Sequence, residues 1–184
     1  MKTERAQPEE RFRALFAEAY PDVVRFAMRR AHPSHAEDIA ADAFLVAWRR
    51  FDQLPQRPGD QRAWLFGIAR NCLLNARRGQ DRQHALAVRL ADAAGERPGD
   101  VDSQAIAHRL DVTAAWRQLT PAEQETLSLT VFEDLTSPQA ARVLGISPVA
   151  YRLRLLRARA ALRRRLDTDA PDHLPAYSRM ETPS

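Results

Sequence analysis

Along most of this chain apolar residues recur at three- to four-residue intervals, and alternating runs of strand type are missing. Residues 9–31, EERFRALFAEAYPDVVRFAMRRA, set Phe12, Leu15, Phe16, Val23, Val24 and Phe26 at helical spacing, and Pro21 predicts a helix in two parts. In PSHAEDIAADAFLVAWRRF, Ser34 with Glu37 three positions later predicts a capping box, hence a helix start. The stretch DQLPQRPGDQR, 52–62, carries two prolines and a glycine and reads as a loop. A third helix, RAWLFGIARNCLLNARR, is expected to end at Gly79, a natural C′ residue.

The pattern then weakens. QDRQHALAVRLADAAGERPGDVD, 80–102, is acidic and holds Gly95, Pro98 and Gly99, so a linker is expected over 81–102. Beyond an amphipathic segment at 103–118, three helix starts share one device: Thr120-Pro121, Ser137-Pro138 and Ser147-Pro148. In each, the hydroxyl can accept from free amides while proline occupies N1, where its missing N–H costs nothing. Glu123 adds a capping box to Thr120. These elements predict an all-α protein of two small helical domains, 8–80 and 103–166, joined by a flexible linker. The tail 167–184, with three prolines and little periodicity, is expected to be disordered.

SPQAARVLGISPVAYRL reads as a short helix, a turn through Gly145 and a longer helix. That is the helix-turn-helix arrangement, with Ala141 small enough for a close helix crossing and Gly145 free to take positive φ. The second helix belongs to GISPVAYRLRLLRARAALRRRL, which has seven arginines and no acid. One-signed charge of this density suits an anion better than solvent. Only Lys2 among the 28 basic residues is a lysine, so the placement of arginine is more telling than its abundance. At 100° per residue, Tyr151, Leu155, Ala158, Leu162 and Leu166 form a core stripe, and Val149, Leu153, Leu156 and Ala160 a second one nearly opposite. Arg152 and Arg157 flank the second stripe. Arginine can pair bidentately with guanine and leucine can touch a thymine methyl, so this face suits base edges; packing on a partner protein is the alternative. Arg154, Arg159 and Arg163 to Arg165 lie at the sides and far end, where phosphate contact suffices.

The remaining chemistry is sparse. Cys72 is the single cysteine, so neither an intrachain disulfide nor a cysteine metal cluster is expected. The histidines at 32, 35, 84, 108 and 173 are scattered, and His32 and His35 beside Glu37 and Asp38 sit at a helix start that capping already explains. No metal, cofactor or catalytic residue is expected. The N-terminus lacks an apolar signal region and no run has membrane-spanning length, which reads as a soluble, cytoplasmic protein.

AEDIAADAFLVAWRRF, RAWLFGIARN and LTPAEQETLSLTVFEDLTSPQAARVLGISPVAYRLRLLRARAAL together resemble bacterial sigma factors of the extracytoplasmic-function (ECF) group, in order and spacing, over about residues 10–80 and 103–166. The resemblance implies a non-enzymatic subunit that binds core RNA polymerase, directs it to promoter DNA and helps open the duplex. An anti-sigma factor is a further partner that it allows. It implies polymerase binding by Asp38, Asp42, Leu45 and Arg49, with Phe44 and Trp48 turned inward. It implies minus-ten contacts at Asn71 and in the 55–62 loop, with Arg57 and Gln61. Arg70, Asn75, Arg77 and Arg78 are suited to the single strand's phosphates. For the minus-thirty-five element it implies Arg152, Leu153, Arg154, Leu156 and Arg157. Ala41-Asp42, Gln139-Ala140-Ala141, Tyr151 and Leu153 depart from the family pattern. A two-domain helix-turn-helix regulator that binds DNA without polymerase shares the turn motif and is the runner-up. An enzyme ranks third.

Overall fold

The computed structural model describes residues 3–80 and 103–169. The described residues form seven α-helices and one 3₁₀ turn, with no strand among them. The first half contains α1 (Thr3–Met28), α2 (Pro33–Arg49), the 3₁₀ turn Phe51–Gln53 and α3 (Pro58–Gln80). The second contains α4 (Ser103–Arg117), α5 (Pro121–Val131), α6 (Ser137–Leu144) and α7 (Pro148–Asp169). The expected linker 81–102 and the tail from 170 onward lie outside the described residues, whereas 167–169 close α7.

Several boundaries differ from the sequence expectation, each for a local reason. Helix α1 runs unbroken through Pro21. An internal proline costs ~3 kcal/mol. Beyond it Val23, Phe26 and Ala27 are fully buried, and burying Val or Phe contributes roughly 1.5–3 kcal/mol each. Burial therefore wins. Helix α2 starts two residues earlier than expected because Pro33 takes N1, so His32 becomes the N-cap and accepts weakly at Nδ1 from the Ser34 amide, 3.4 Å away. The Ser34–Glu37 capping box does not form. Helix α3 starts at Pro58, inside the stretch expected to be loop, and continues past Gly79.

The second half follows its capping chemistry closely. Thr120 and Glu123 form the expected box. At α6 the N-cap moves to Thr136, whose amide and hydroxyl both donate to Gln139 Oε1. Ser147 Oγ accepts from the Ala150 amide at 3.1 Å at the start of α7. Gly145 takes φ +67°, and the Ile146 amide reaches back to the Ala141 carbonyl at 3.0 Å, ending α6 tightly enough for α7 to cross it.

Phe26 of α1 and Phe66 of α3 stack at 4.7 Å in the first half, and Tyr151, Leu155, Ala158 and Ala161 hold α7 in the second. The halves are not packed separately: buried residues of both belong to one contiguous apolar cluster, joined where α3 lies on α6. A Cβ added at Gly67 would lie 3.8 Å from the Val143 Cα, an ordinary van der Waals contact, so α3 and α6 are direct neighbours there.

Candidate nucleic-acid interface

The turn at Gly145 and the Ser147 cap set the start of α7, and Tyr151 fixes its rotation. The Tyr151 hydroxyl donates to the Thr126 carbonyl at 2.8 Å and lies 2.8 Å from Thr130 Oγ1, both on α5. Burial pushes its pKa up, partly offset by the Thr130 contact. With Tyr151 and Leu155 inward, Arg152, Leu153, Arg154, Leu156 and Arg157 are all exposed. Val149 and Leu156 are each 66% exposed and Leu153 46%, so the second apolar stripe does face solvent, framed by arginines.

The set expected to bind polymerase lies on one exposed side of α2. Asp38 and Asp42 are exposed, as are Leu45 and Arg49, while Ile39, Ala43 and Phe44 turn into the core. Trp48 is a correction: expected inside, it is 42% exposed. It meets Phe12 edge-on at 4.9 Å, and Phe12 in turn contacts Phe44 and Phe51, so the interior there is filled and Trp48 forms its outer edge. Cys72 is half-buried, and burial, with the nearby Asp42 charge adding, pushes its thiol pKa up, which suits packing rather than chemistry.

The residues expected at the minus-ten strand divide. Arg57, Asn71 and Asn75 are exposed. Gln61, near the start of α3, is half-buried and ties down the preceding loop, donating from Nε2 to the Pro55 carbonyl at 2.9 Å. Arg78 lies on α3, its side chain outside the described residues. Arg77 donates to the Arg30 carbonyl. Arg70 is engaged by the second half of the chain. Its Nε and Nη2 donate to the two carboxylate oxygens of Glu125 at 2.8 and 3.1 Å, a bidentate fork.

That fork is one of several polar contacts between the halves that sequence reasoning missed. Arg30 donates from Nη1 to Glu133 Oε1 at 3.0 Å and from Nη2 to Ser128 Oγ at 2.8 Å, with its guanidinium 3.6 Å from the Phe26 ring centroid. Arg29 donates to both Glu133 oxygens at 3.2–3.3 Å, and Arg62 to the Glu133 carbonyl at 2.7 Å. Asp134, at φ 49°, turns the chain beside this cluster. Burial lowers the Arg30 pKa while Glu133 raises it. In the same interface Arg142 of α6 pairs with Asp60 of α3 at 3.0 Å, and that contact holds the Asp60 carboxyl below its usual range. No residue type or spacing in one sequence marks these partners.

The arrangement defines a helical, helix-turn-helix DNA-binding protein with a second helical unit that presents an acidic face. Comparison with known proteins makes this specific. Residues 15–83 match sigma-70 region 2, and residues 104–162 match sigma-70 region 4. The RNA polymerase sigma factor CnrH of Cupriavidus metallidurans is 34% identical over 146 residues, covering 73% of this chain and 74% of that protein. The ECF RNA polymerase sigma factor SigL of Mycobacterium tuberculosis is 27% identical, covering 82% and 86%. Among solved structures, CnrH in complex with the cytosolic domain of CnrY gives a TM-score of 0.56 at 26% identity, covering 90% and 96%. Sigma factor RpoE in complex with the anti-sigma factor NepR, from Bartonella quintana, shares the fold at TM-score 0.61 and 23% identity, covering 87% and 99%.

The chain belongs to the RNA polymerase sigma factors, in the ECF group. It is a promoter-directing subunit of RNA polymerase. The region 2 match displaces the regulator that would bind DNA unaided.

Proposed function

We propose that the two halves divide the work of initiation by binding alone, without catalysis, in the cytoplasm. The α2 face of Asp38, Asp42, Leu45 and Arg49 engages core polymerase. Gln61, Asn71 and Asn75 on α3, with Arg57 just before the helix and Arg70 and Arg78 beside them, receive the minus-ten strand as the duplex opens. The start of α7 reads the minus-thirty-five element through Arg152, Leu153, Arg154, Leu156 and Arg157. The observation that carries this reading is the exposed stripe of Val149, Leu153 and Leu156 flanked by arginines, on a helix set by Gly145 and Tyr151. An apolar stripe framed by bidentate donors matches thymine methyls beside guanine edges. An anti-sigma partner is part of the proposal, since both structural relatives are complexes with such a protein or with a companion's cytosolic domain. No helix among the described residues is long and apolar enough to cross a membrane.

Reconstituted transcription with bacterial core polymerase on a promoter library, read by start-site sequencing, tests the reading. Start sites downstream of a common two-part motif are expected only when the chain is present. Equal starts with and without it overturn the proposal.

A further inference from the structure

Helix α7 carries its apolar stripe toward its own C-terminal end. At 100° per residue Val149, Leu153 and Leu156 share one side of the helix with Ala160 and Asp167, so the stripe points from the Gly145 turn to the last turn before Asp169. Arg152 and Arg163 border that side on one edge and Arg157 and Arg164 on the other, all four exposed. The strip is apolar along its middle and basic along both edges.

The sequence that continues from that end has the complementary character. DAPDHLPAYSRMETPS, 169–184, sets Leu174, Tyr177 and Met180 three positions apart, with Asp169, Asp172 and Glu181 around them against one arginine, Arg179. Pro171 is a stop signal for the helix. Reach is sufficient. At ~1.5 Å per residue, Asp169 stands about 20 Å along the axis from Leu156 and about 30 Å from Val149. An extended chain spans up to ~3.3 Å per residue, so Tyr177 reaches about 26 Å from Asp169 and Met180 about 36 Å. Tethering holds the segment near the stripe at an effective concentration on the order of millimolar, so modest complementarity is enough. A second copy of the chain would instead set one arginine-bordered helix against another, and like charges oppose that.

We propose that residues 170–184 fold back along α7 and cover the Val149, Leu153 and Leu156 stripe in competition with the minus-thirty-five element, Tyr177 and Met180 lying on the leucines and Asp172 and Glu181 facing the arginine edges. The inference rests on the base-reading role given to α7. Coverage reduces apparent affinity for the element by the fraction of chains left uncovered. DNA contact displaces the segment in turn, by the same coupling.

Disulfide trapping in the full chain tests the docking. In a Cys72→Ser background, Tyr177→Cys is paired either with Leu156→Cys, on the stripe, or with Arg154→Cys, exposed on nearly the opposite side of the helix. Under diamide the Leu156 pair should close an intrachain disulfide at least about tenfold faster than the Arg154 pair. Equal rates overturn the proposal. So does a disulfide that forms mainly between two chains, which would assign the stripe to a second copy. The competition is read separately, with core polymerase and an otherwise unaltered chain that ends at Asp169. On a promoter identified by start-site sequencing, holoenzyme from the shortened chain should bind at least about threefold more tightly than holoenzyme from the full chain, the gain expected when the stripe is covered about two-thirds of the time. The two should bind alike once the minus-thirty-five element is scrambled. Equal affinity for the intact promoter overturns the competition. If scrambling changes neither holoenzyme, the base-reading role of α7 falls instead, and the trapping rates still decide whether the segment lies on the stripe.

Discussion

Arg30 and Glu133, 103 positions apart, bring Nη1 and Oε1 to 3.0 Å with side chains only 0% and 2% exposed. Desolvation of two ions on that scale is recovered only when the pair is intact and its remaining polar atoms are bonded. Here Ser128, the Phe26 carbonyl and Arg29 supply most of those bonds. The pair therefore ties the end of α1 to the α5–α6 turn and resists removal of either member alone.

Glu133→Ala should destabilise the protein by about 3–5 kcal/mol, because it leaves Arg30 charged and buried. Arg30→Met combined with Glu133→Leu should cost less than the two single changes added together, with a coupling of roughly 0.5–3 kcal/mol. Urea unfolding of the four chains measures the cycle. Strict additivity would show that the two charges do not stabilise one another.

The acid limb of stability should depend on Asp60. Its carboxyl is held below the usual carboxylate range, first by the hydrogen bond from Arg142. A group whose folded pKa lies below its unfolded one stabilises above the unfolded value, about 3.9 for aspartate, and that contribution is lost as pH falls through the folded value. Asp60→Asn should therefore lower stability at neutral pH and flatten the loss on acidification. Thermal melts across that window check both signs.

Helix number and the helix-turn-helix were legible in the sequence because capping and glycine conformation are local. Thr120 with Glu123, Ser147 before Pro148, and Gly145 each act on amides within a few residues, and all three are found as expected. His32 displaced Ser34 as N-cap because Pro33 takes N1, a contest between two local rules. The docking of the halves was not legible. Glu125, Ser128 and Glu133 read as ordinary polar positions until Arg70 and Arg30 arrive from far away in the chain. Trp48 is exposed for a similar reason: Phe12, on another helix, fills the space next to it.

Reversing charge on the α2 face should weaken holoenzyme assembly. Asp38 and Asp42 are exposed and stand one helical turn apart, where like charges repel and a basic partner relieves them. Asp38→Arg with Asp42→Arg should reduce core binding by at least about tenfold, ~1.4 kcal/mol, with an unchanged melting temperature. Titration of labelled chain with core polymerase measures the affinity. Normal assembly by the double variant would remove these residues from the interface.

Arginines at the two ends of α7 should differ in kind. Arg152 and Arg157 flank the exposed Leu153 and Leu156 on the part of the helix fixed by Tyr151, so they are placed to reach base edges. Each Arg→Ala change there should cost about 1–3 kcal/mol and relax preference at particular minus-thirty-five positions. Arg163 and Arg164 are exposed near the far end, and Arg165 donates to the Ala161 carbonyl at 3.0 Å. Substituting these three should weaken binding to all promoters alike and shallow its salt dependence, since phosphate contacts release counterions without reading sequence. The comparison is made in holoenzyme on one promoter library at two salt concentrations. If Arg152→Ala and Arg164→Ala shift the library in the same sequence-independent way, the face assignment fails. The Val149, Leu153 and Leu156 stripe then belongs to a protein contact, because an exposed apolar stripe that does not read thymine methyls has only a protein partner to cover it.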